Sequence, residues 1–185
     1  MRVITGSARG RRLKQLEGLE TRPTTGRVKE AVFSILQFDI EGRRVLDLFA
    51  GTGQLGIEAL SRGAASAVFV EKRRDAANLI RENLKLTELT ARARVVGGEA
   101  EAFLAGCRER FDLIFLDPPY AAGLLEGALE MISRFDILAN HGIMVCESPA
   151  ERELPDLPAP YSKHRVYRYG KTRITTYHRE EDVER

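Results

Sequence analysis

The stretch RVLDLFAGTGQLGIEALSRG, residues 44–63, decides the fold. Its first half, RVLDLFA (44–50), is a short apolar run with one acid in it, the pattern of a strand buried in a parallel sheet. Its second half, GQLGIEALSRG (53–63), has helical spacing and closes on Gly63. Gly51, Gly53 and Gly56 between them make a GxGxxG set at the strand-to-helix junction. Such glycines let the backbone turn sharply and approach a ligand, and they leave N–H groups open at the helix start. A ligand-free β–α turn would use the same residues, so the neighbouring segments have to decide.

Working outward, SAVFVE (66–71) reads as a second strand, and a helix over 74–86 places Ala77, Ile80 and Leu84 on one face. ARVVGGEA (93–100) is a third strand with its turn, and AEAFLAGC (100–107) a short helix. FDLIFLDPPY (111–120) is a fourth strand with the loop at its end. LLEGALEMISRF (124–135) is a helix and GIMVCES (142–148) a fifth strand. This alternation is that of βαβ units, which predicts an α/β fold with a doubly wound, mostly parallel sheet. The proline-rich ERELPDLPAP (151–160) reads as a connector, and YSKHRVYRYGKTRITTYHR (161–179) as an antiparallel hairpin about Gly170. Upstream, RVITGSARGRRLK (2–14) reads as a basic hairpin. TRPTTGRVKEAVFSIL (21–36) holds an extended X-Pro, a capping Thr and an amphipathic helix over about 26–38. Residues 1–40 are thus expected to form an arm packed on a core of 41–185, one compact domain overall.

A chain of 185 residues can bury a core without staples. It has no apolar run long enough to span a bilayer, and MRVITGSARGRRLK lacks the apolar middle of a signal peptide, so a cytoplasmic protein without a membrane partner is expected. Cys107 and Cys146 show no CxxC, and His141, His164 and His178 are scattered. Two buried free thiols and no metal site are expected. Net charge is only +2, but residues 1–30 hold eight Lys/Arg against three Asp/Glu, and residues 161–179 hold six against none. Residues 31–160 hold fourteen against twenty. Two basic segments flanking an acidic core favour a polyanion such as nucleic acid, with Arg9, Arg11, Arg12 and Arg22 as candidate contacts.

Glu71 follows Gly51 by twenty residues and ends the second strand, where an acid can accept hydrogen bonds from both hydroxyls of a ribose. Both a nicotinamide dinucleotide and S-adenosylmethionine fit that geometry. Asp47, four residues before Gly51, favours the latter, because that ligand has no phosphate but carries an ammonium and a sulfonium. Glu99, after the third strand, can reach an adenine amino group by the same logic, although an acid at a helix start is also ordinary.

In open α/β sheets ligands bind beyond the C-terminal strand ends, so Asp117 shares the crevice with the glycine loop. In DPPY the prolines stiffen the backbone, and the Asp117 carboxylate with the Pro118 carbonyl makes two acceptors suited to an NH₂ group. A nucleobase amine is a poor nucleophile, since its lone pair is delocalised into the ring. Two such hydrogen bonds favour a pyramidal nitrogen, while Pro119 fixes the loop and Tyr120 can stack on the base. The chemistry implied is methyl transfer from sulfur to nitrogen.

Together DLFAGTGQLGIEALSRGA (47–64), VEK (70–72), FLDPPY (115–120) and RPTTGRVKEAVFSIL (22–36) resemble the RsmD family of 16S rRNA guanine-N2 methyltransferases, over nearly the whole chain. DPPY alone is shared with other amino-group methyltransferases; the arm narrows the family. The resemblance implies a Rossmann-like class I methyltransferase fold with a seven-stranded sheet and a reversed last hairpin. It implies S-adenosylmethionine as cofactor and, as substrate, the guanine at position 966 of 16S rRNA on a 30S assembly intermediate. Carried over, Asp47, Gly51 and Gly53 line the cofactor, Glu71 holds its ribose, and Asp117, Pro118, Pro119 and Tyr120 form the amine site. Arg22, Thr24 and Thr25 would lie over cofactor or RNA. Thr52, Gln54 and Glu99 depart from the family's usual Ser, Ala and Asn or Asp. Three rivals stand beside this reading: a DNA adenine-N6 methyltransferase, a noncatalytic RNA-binding protein on the same scaffold, and an NAD-dependent oxidoreductase, which has no use for DPPY.

Overall fold

In the computed structural model, which describes residues 1–17, 25–120 and 123–181, the strand RVLD forms β1 (Arg44–Asp47) at the centre of a seven-stranded sheet. It pairs in parallel with β2 (Ser66–Glu71) on one side and β4 (Phe111–Leu116) on the other. Beyond these lie β3 (Ala93–Gly97), β5 (Leu138–Pro149), β7 (Thr172–Arg179) and the edge strand β6 (Tyr161–Tyr169), giving the order β3-β2-β1-β4-β5-β7-β6. Only β7 runs against the others, pairing antiparallel with β5 and β6. The doubly wound sheet with an antiparallel closing hairpin is therefore as expected.

Helices α1 (Thr25–Ile35), α2 (Gln54–Ser61) and α3 (Arg74–Leu86) cover one face, where Val32, Phe33, Ile57, Leu60, Ile80 and Leu84 pack on Val45, Phe69, Phe115 and Val145. The other face is covered by α4 (Ala100–Gly106) and α5 (Leu124–Phe135), whose Leu104, Leu125, Leu129 and Ile132 meet Leu46, Val68, Ile114 and Met144. Alternate residues of each central strand feed opposite layers, which is why those strands read as unbroken apolar runs.

Several boundaries move. β1 stops at Asp47, because residues 48–50 already turn toward β2 and β4: the Leu48 amide donates to Phe115 O and the Ala50 amide to Val70 O. Helix α1 ends at Ile35, and β5 starts earlier, at Leu138, through a register shift against β4. The N-terminal hairpin has a single antiparallel bridge, Arg2 to Arg12, in place of a ladder. Residues 1–14 gain their order by docking: Val3, Ala8 and Leu13 are buried in the same cluster as α1 and α2. Cys146 is a buried free thiol as read, whereas Cys107 is only partly buried, since it lies just past the last residue of α4. Arg22 and Thr24 lie outside the described residues, as does the side chain of Thr25. No described helix is long and apolar enough to cross a membrane.

Candidate active site

Gly51 and Gly53 adopt φ +57° and +84°, in the left-handed region that favours glycine, so the chain can turn directly from β1 into α2. The three glycines divide the work. A Cβ on Gly56 would lie 2.4 Å from the Phe69 ring, so this glycine lets α2 press onto β2. A Cβ on Gly53 would crowd Ile80 and Ile57 at 3.2–3.3 Å. A Cβ on Gly51 would meet nothing within 4 Å, because Gly51 faces the cavity.

Three side chains clamp the loop. Asp47 Oδ2 accepts the Gly56 amide at 3.0 Å, Glu71 Oε2 accepts the Gly51 amide at 2.8 Å, and Asn83 Nδ2 donates to Thr52 O at 3.0 Å. The other Glu71 oxygen accepts the Arg73 amide at 2.8 Å. Each carboxylate oxygen retains acceptor capacity beyond one such bond, so Glu71 can hold both the loop and a hydroxyl.

The cavity beside this loop measures about 470 Å³, within the range of small-molecule sites. Gly51, Glu71 and Glu99 line it from β1, β2 and the α4 start, and Asp117 and Pro119 from the end of β4. Leu48, Ala76, Ala100, Leu124 and Ala128 supply apolar wall. The sheet thus brings Gly51, Glu71, Glu99, Asp117 and Pro119 together. Asp47, Gly53 and Pro118 are buried and off the cavity wall, Asp47 bonded to the loop from behind through the Gly56 amide. Tyr120 is 44% exposed and does not line the cavity, since the chain has by then turned outward.

Asp47 is 1% exposed, and its Oδ1 has no hydrogen-bond partner among the described residues. Burial pushes its carboxyl up to about 7; the Gly56 amide opposes this and the nearby Glu71 charge adds to it. An orphaned acid oxygen behind the glycine loop, with Glu71 lining the cavity in front of it, fits a cationic, hydroxyl-bearing ligand.

Sequence reasoning missed the clamp behind the site. Buried Asn83 accepts the Lys14 amide and donates to Lys14 O as well as to Thr52 O, so one amide ties the N-terminal arm to the glycine loop. Buried Glu58 on α2 accepts the amides of Ile4 and Thr5 and pairs with Lys29 at 3.1 Å and Arg62 at 3.0 Å. Ser61 Oγ accepts the Ala8 amide and donates to Thr5 O. The available signal was a polar residue inside an apolar helical stripe: Asn83 sits between Ile80 and Leu84, Glu58 between Ile57 and Ala59.

Of the candidate RNA contacts, Arg9 and Arg12 are exposed. Arg11 donates to Leu86 O at 2.8 Å and pairs with Glu88 at 3.0 Å. Among the described residues no group of three or more His, Cys, Asp or Glu is placed to hold a metal ion.

The sequence matches the family described as Conserved hypothetical protein 95 over residues 1–178. It is 39% identical over 180 residues to ribosomal RNA small subunit methyltransferase D of Escherichia coli strain K12, covering 97% of this chain and 90% of that one. The chain belongs to the RsmD family. YlbH of Bacillus subtilis strain 168 is 43% identical over 180 residues, covering 96% of this chain and 98% of YlbH. The solved structure of yhhF from Escherichia coli superimposes with a TM-score of 0.88 at 40% identity, covering 97% of this chain and 98% of that one. The family inferred from the glycine loop, DPPY and the arm is therefore confirmed, and with it the Rossmann-like methyltransferase fold.

Proposed function

We propose that this protein transfers a methyl group from S-adenosylmethionine to the exocyclic N2 amine of a guanine in bacterial 16S rRNA, in the cytoplasm and on a 30S assembly intermediate. The observation that carries the reading is one cavity lined by Gly51, Glu71, Asp117 and Pro119, next to a glycine loop that the buried, half-unpaired Asp47 carboxyl holds. The small-subunit rRNA named for the Escherichia coli relative supports the substrate.

S-adenosylmethionine supplies an electrophilic methyl on a sulfonium. Glu71 would accept its ribose hydroxyls, Glu99 and Ala100 would border its adenine, and Asp47 would face its ammonium across the loop. On the substrate side, the Asp117 carboxylate and the Pro118 carbonyl accept the two amine protons and turn the nitrogen lone pair toward the donor. Asp117 also stabilises the positive charge that develops on nitrogen, by about 3 kcal/mol if it acts as other preorganised polar groups do. It then takes the proton released from the methylated amine. Tyr120, exposed one residue past Pro119, would offer a ring to a base that has left its stack.

The test supplies labelled S-adenosylmethionine with unmodified small-subunit rRNA, assembly particles or duplex DNA, and identifies the methylated nucleoside. N2-methylguanosine from the particle is expected. N6-methyladenosine in DNA, or no transfer with intact cofactor binding, would overturn the reading.

A further inference from the structure

The basic hairpin at one lateral edge of the sheet does not line the cavity. Its six cations are not equivalent. Lys163 pairs with Asp156 at 3.3 Å. Arg173 is buried and donates to Arg152 O, and Arg179 is buried against Asp136. That leaves Arg165, Arg168 and Lys171, all exposed and without a carboxylate partner among the described residues. Residues 161–179 contain no acid that could neutralise them locally.

The same strand carries two aromatic rings. Tyr167 and Tyr169 project to the α1 side of the sheet, half-buried at the edge of its core cluster. Their rings are 13° from parallel with centroids 6.5 Å apart. That separation is the i, i+2 repeat of a strand, about 6.6 Å, so the two rings stand side by side on one face as a single aromatic platform. Exposed Val166 precedes both tyrosines and exposed Arg168 lies between them; by strand alternation these two face the other side.

Register sets where this surface stands. Tyr169 pairs with Thr172, and Thr172 with Pro149. Leu116 pairs with Cys146, so the level of Pro149 is that of the DPPY loop three residues past Leu116. The hairpin tip is therefore at the catalytic end of the sheet, three strands from β4, or about 14 Å at ~4.8 Å per strand. A short RNA segment bridges that gap.

We propose that the β6–β7 hairpin is a second RNA contact, where Tyr167 and Tyr169 stack on unpaired bases flanking the target and Arg165, Arg168 and Lys171 hold phosphates. Aromatic faces interleaved with unneutralised cations recognise single-stranded nucleic acid without reading its sequence. The proposal rests on the RNA methyltransferase reading above, but binding can be measured without turnover.

The experiment measures affinity for an unmodified small-subunit rRNA fragment against salt, together with KM, kcat and S-adenosylmethionine affinity. Tyr167→Leu with Tyr169→Leu keeps the apolar contact with the core and removes the π faces. It should weaken RNA binding and raise KM about tenfold, with kcat and cofactor affinity unchanged, and the paired Phe variant should restore both. Arg165→Gln with Arg168→Gln and Lys171→Gln should lower the salt slope by about 2. Wild-type RNA affinity and slope in the folded Leu and Gln variants would overturn the proposal. RNA binding that depends on the hairpin without methyl transfer by the wild type would instead sink the methyltransferase reading alone.

Discussion

Asp47 Oδ2 accepts the Gly56 amide at 3.0 Å, while its other oxygen is buried without a partner among the described residues. One oxygen thus fixes the start of α2 and the other is buried behind the glycine loop with its acceptor capacity unused. Holding an acid there costs folding free energy. Its carboxyl, ordinarily near 3.8, is pushed up to about 7 by burial. A group raised in the folded state contributes most below its unfolded value, and that contribution is lost as pH rises through its folded value. Stability without ligand should fall by up to about 4 kcal/mol between pH 4 and 7 from this group alone. Asp47→Asn should flatten that profile in thermal unfolding and exceed the wild type at pH 8. The same variant should weaken cofactor binding, and wild-type affinity should rise with pH through about 7. A pH-independent wild-type affinity would refute the assignment.

In the proposed mechanism Asp117 acts on the amine rather than on the cofactor. Asp117→Ala should reduce methyl transfer to rRNA at least a hundredfold while cofactor affinity, measured by calorimetry, stays within a few-fold. Turnover near wild type would remove Asp117 from the chemistry.

The glycines separate packing from binding. Gly56→Ala drives a methyl into the Phe69 ring and should cost about 1–3 kcal/mol, read as a fall in Tm. Gly51→Ala has open space and only the left-handed φ to oppose it, about 1 kcal/mol. It should affect cofactor affinity more than Tm, since the added methyl enters the cavity. The reverse ranking would reject this division of roles.

Glu58 bears on how much was legible. The sheet, the crossover helices and the crevice could be read because they rest on short-range patterns: apolar runs, helical spacing, and turn glycines at strand ends. The neighbourhood of Asp47, Glu71 and Asp117 was legible because the first two end a strand and the third directly follows one, and strand ends in a parallel sheet share one edge. Glu58, Ser61 and Asn83 were not found, because their partners lie more than 50 residues away in the arm and no local pattern joins Glu58 to Ile4 or Asn83 to Lys14. Tyr120 was read as a ring to stack on the substrate base; it is exposed and off the cavity wall, a placement that residue order cannot give. Removing Glu58 tests the tertiary part. Glu58→Ala leaves Lys29, 2% exposed, without its carboxylate, and frees the amides of Ile4 and Thr5. A loss of about 3–5 kcal/mol is expected, with protease cleavage appearing first within residues 1–14.

The arm's cations also differ in what they have left to offer RNA. Arg11 already donates to Leu86 O and pairs with Glu88, and Lys14 pairs with Glu82 at 2.7 Å. Arg9 and Arg12 have no carboxylate partner among the described residues. Each phosphate contact adds about 0.7–0.9 to the slope of log affinity against log salt. Arg9→Gln with Arg12→Gln should therefore lower the slope for small-subunit rRNA by more than 1 and weaken binding at low salt. Arg11→Gln should change the slope by less and instead lower Tm slightly, because what it loses is a contact to α3. Equal slope changes for all three arginines would show that the Glu88 pair gives way when RNA binds.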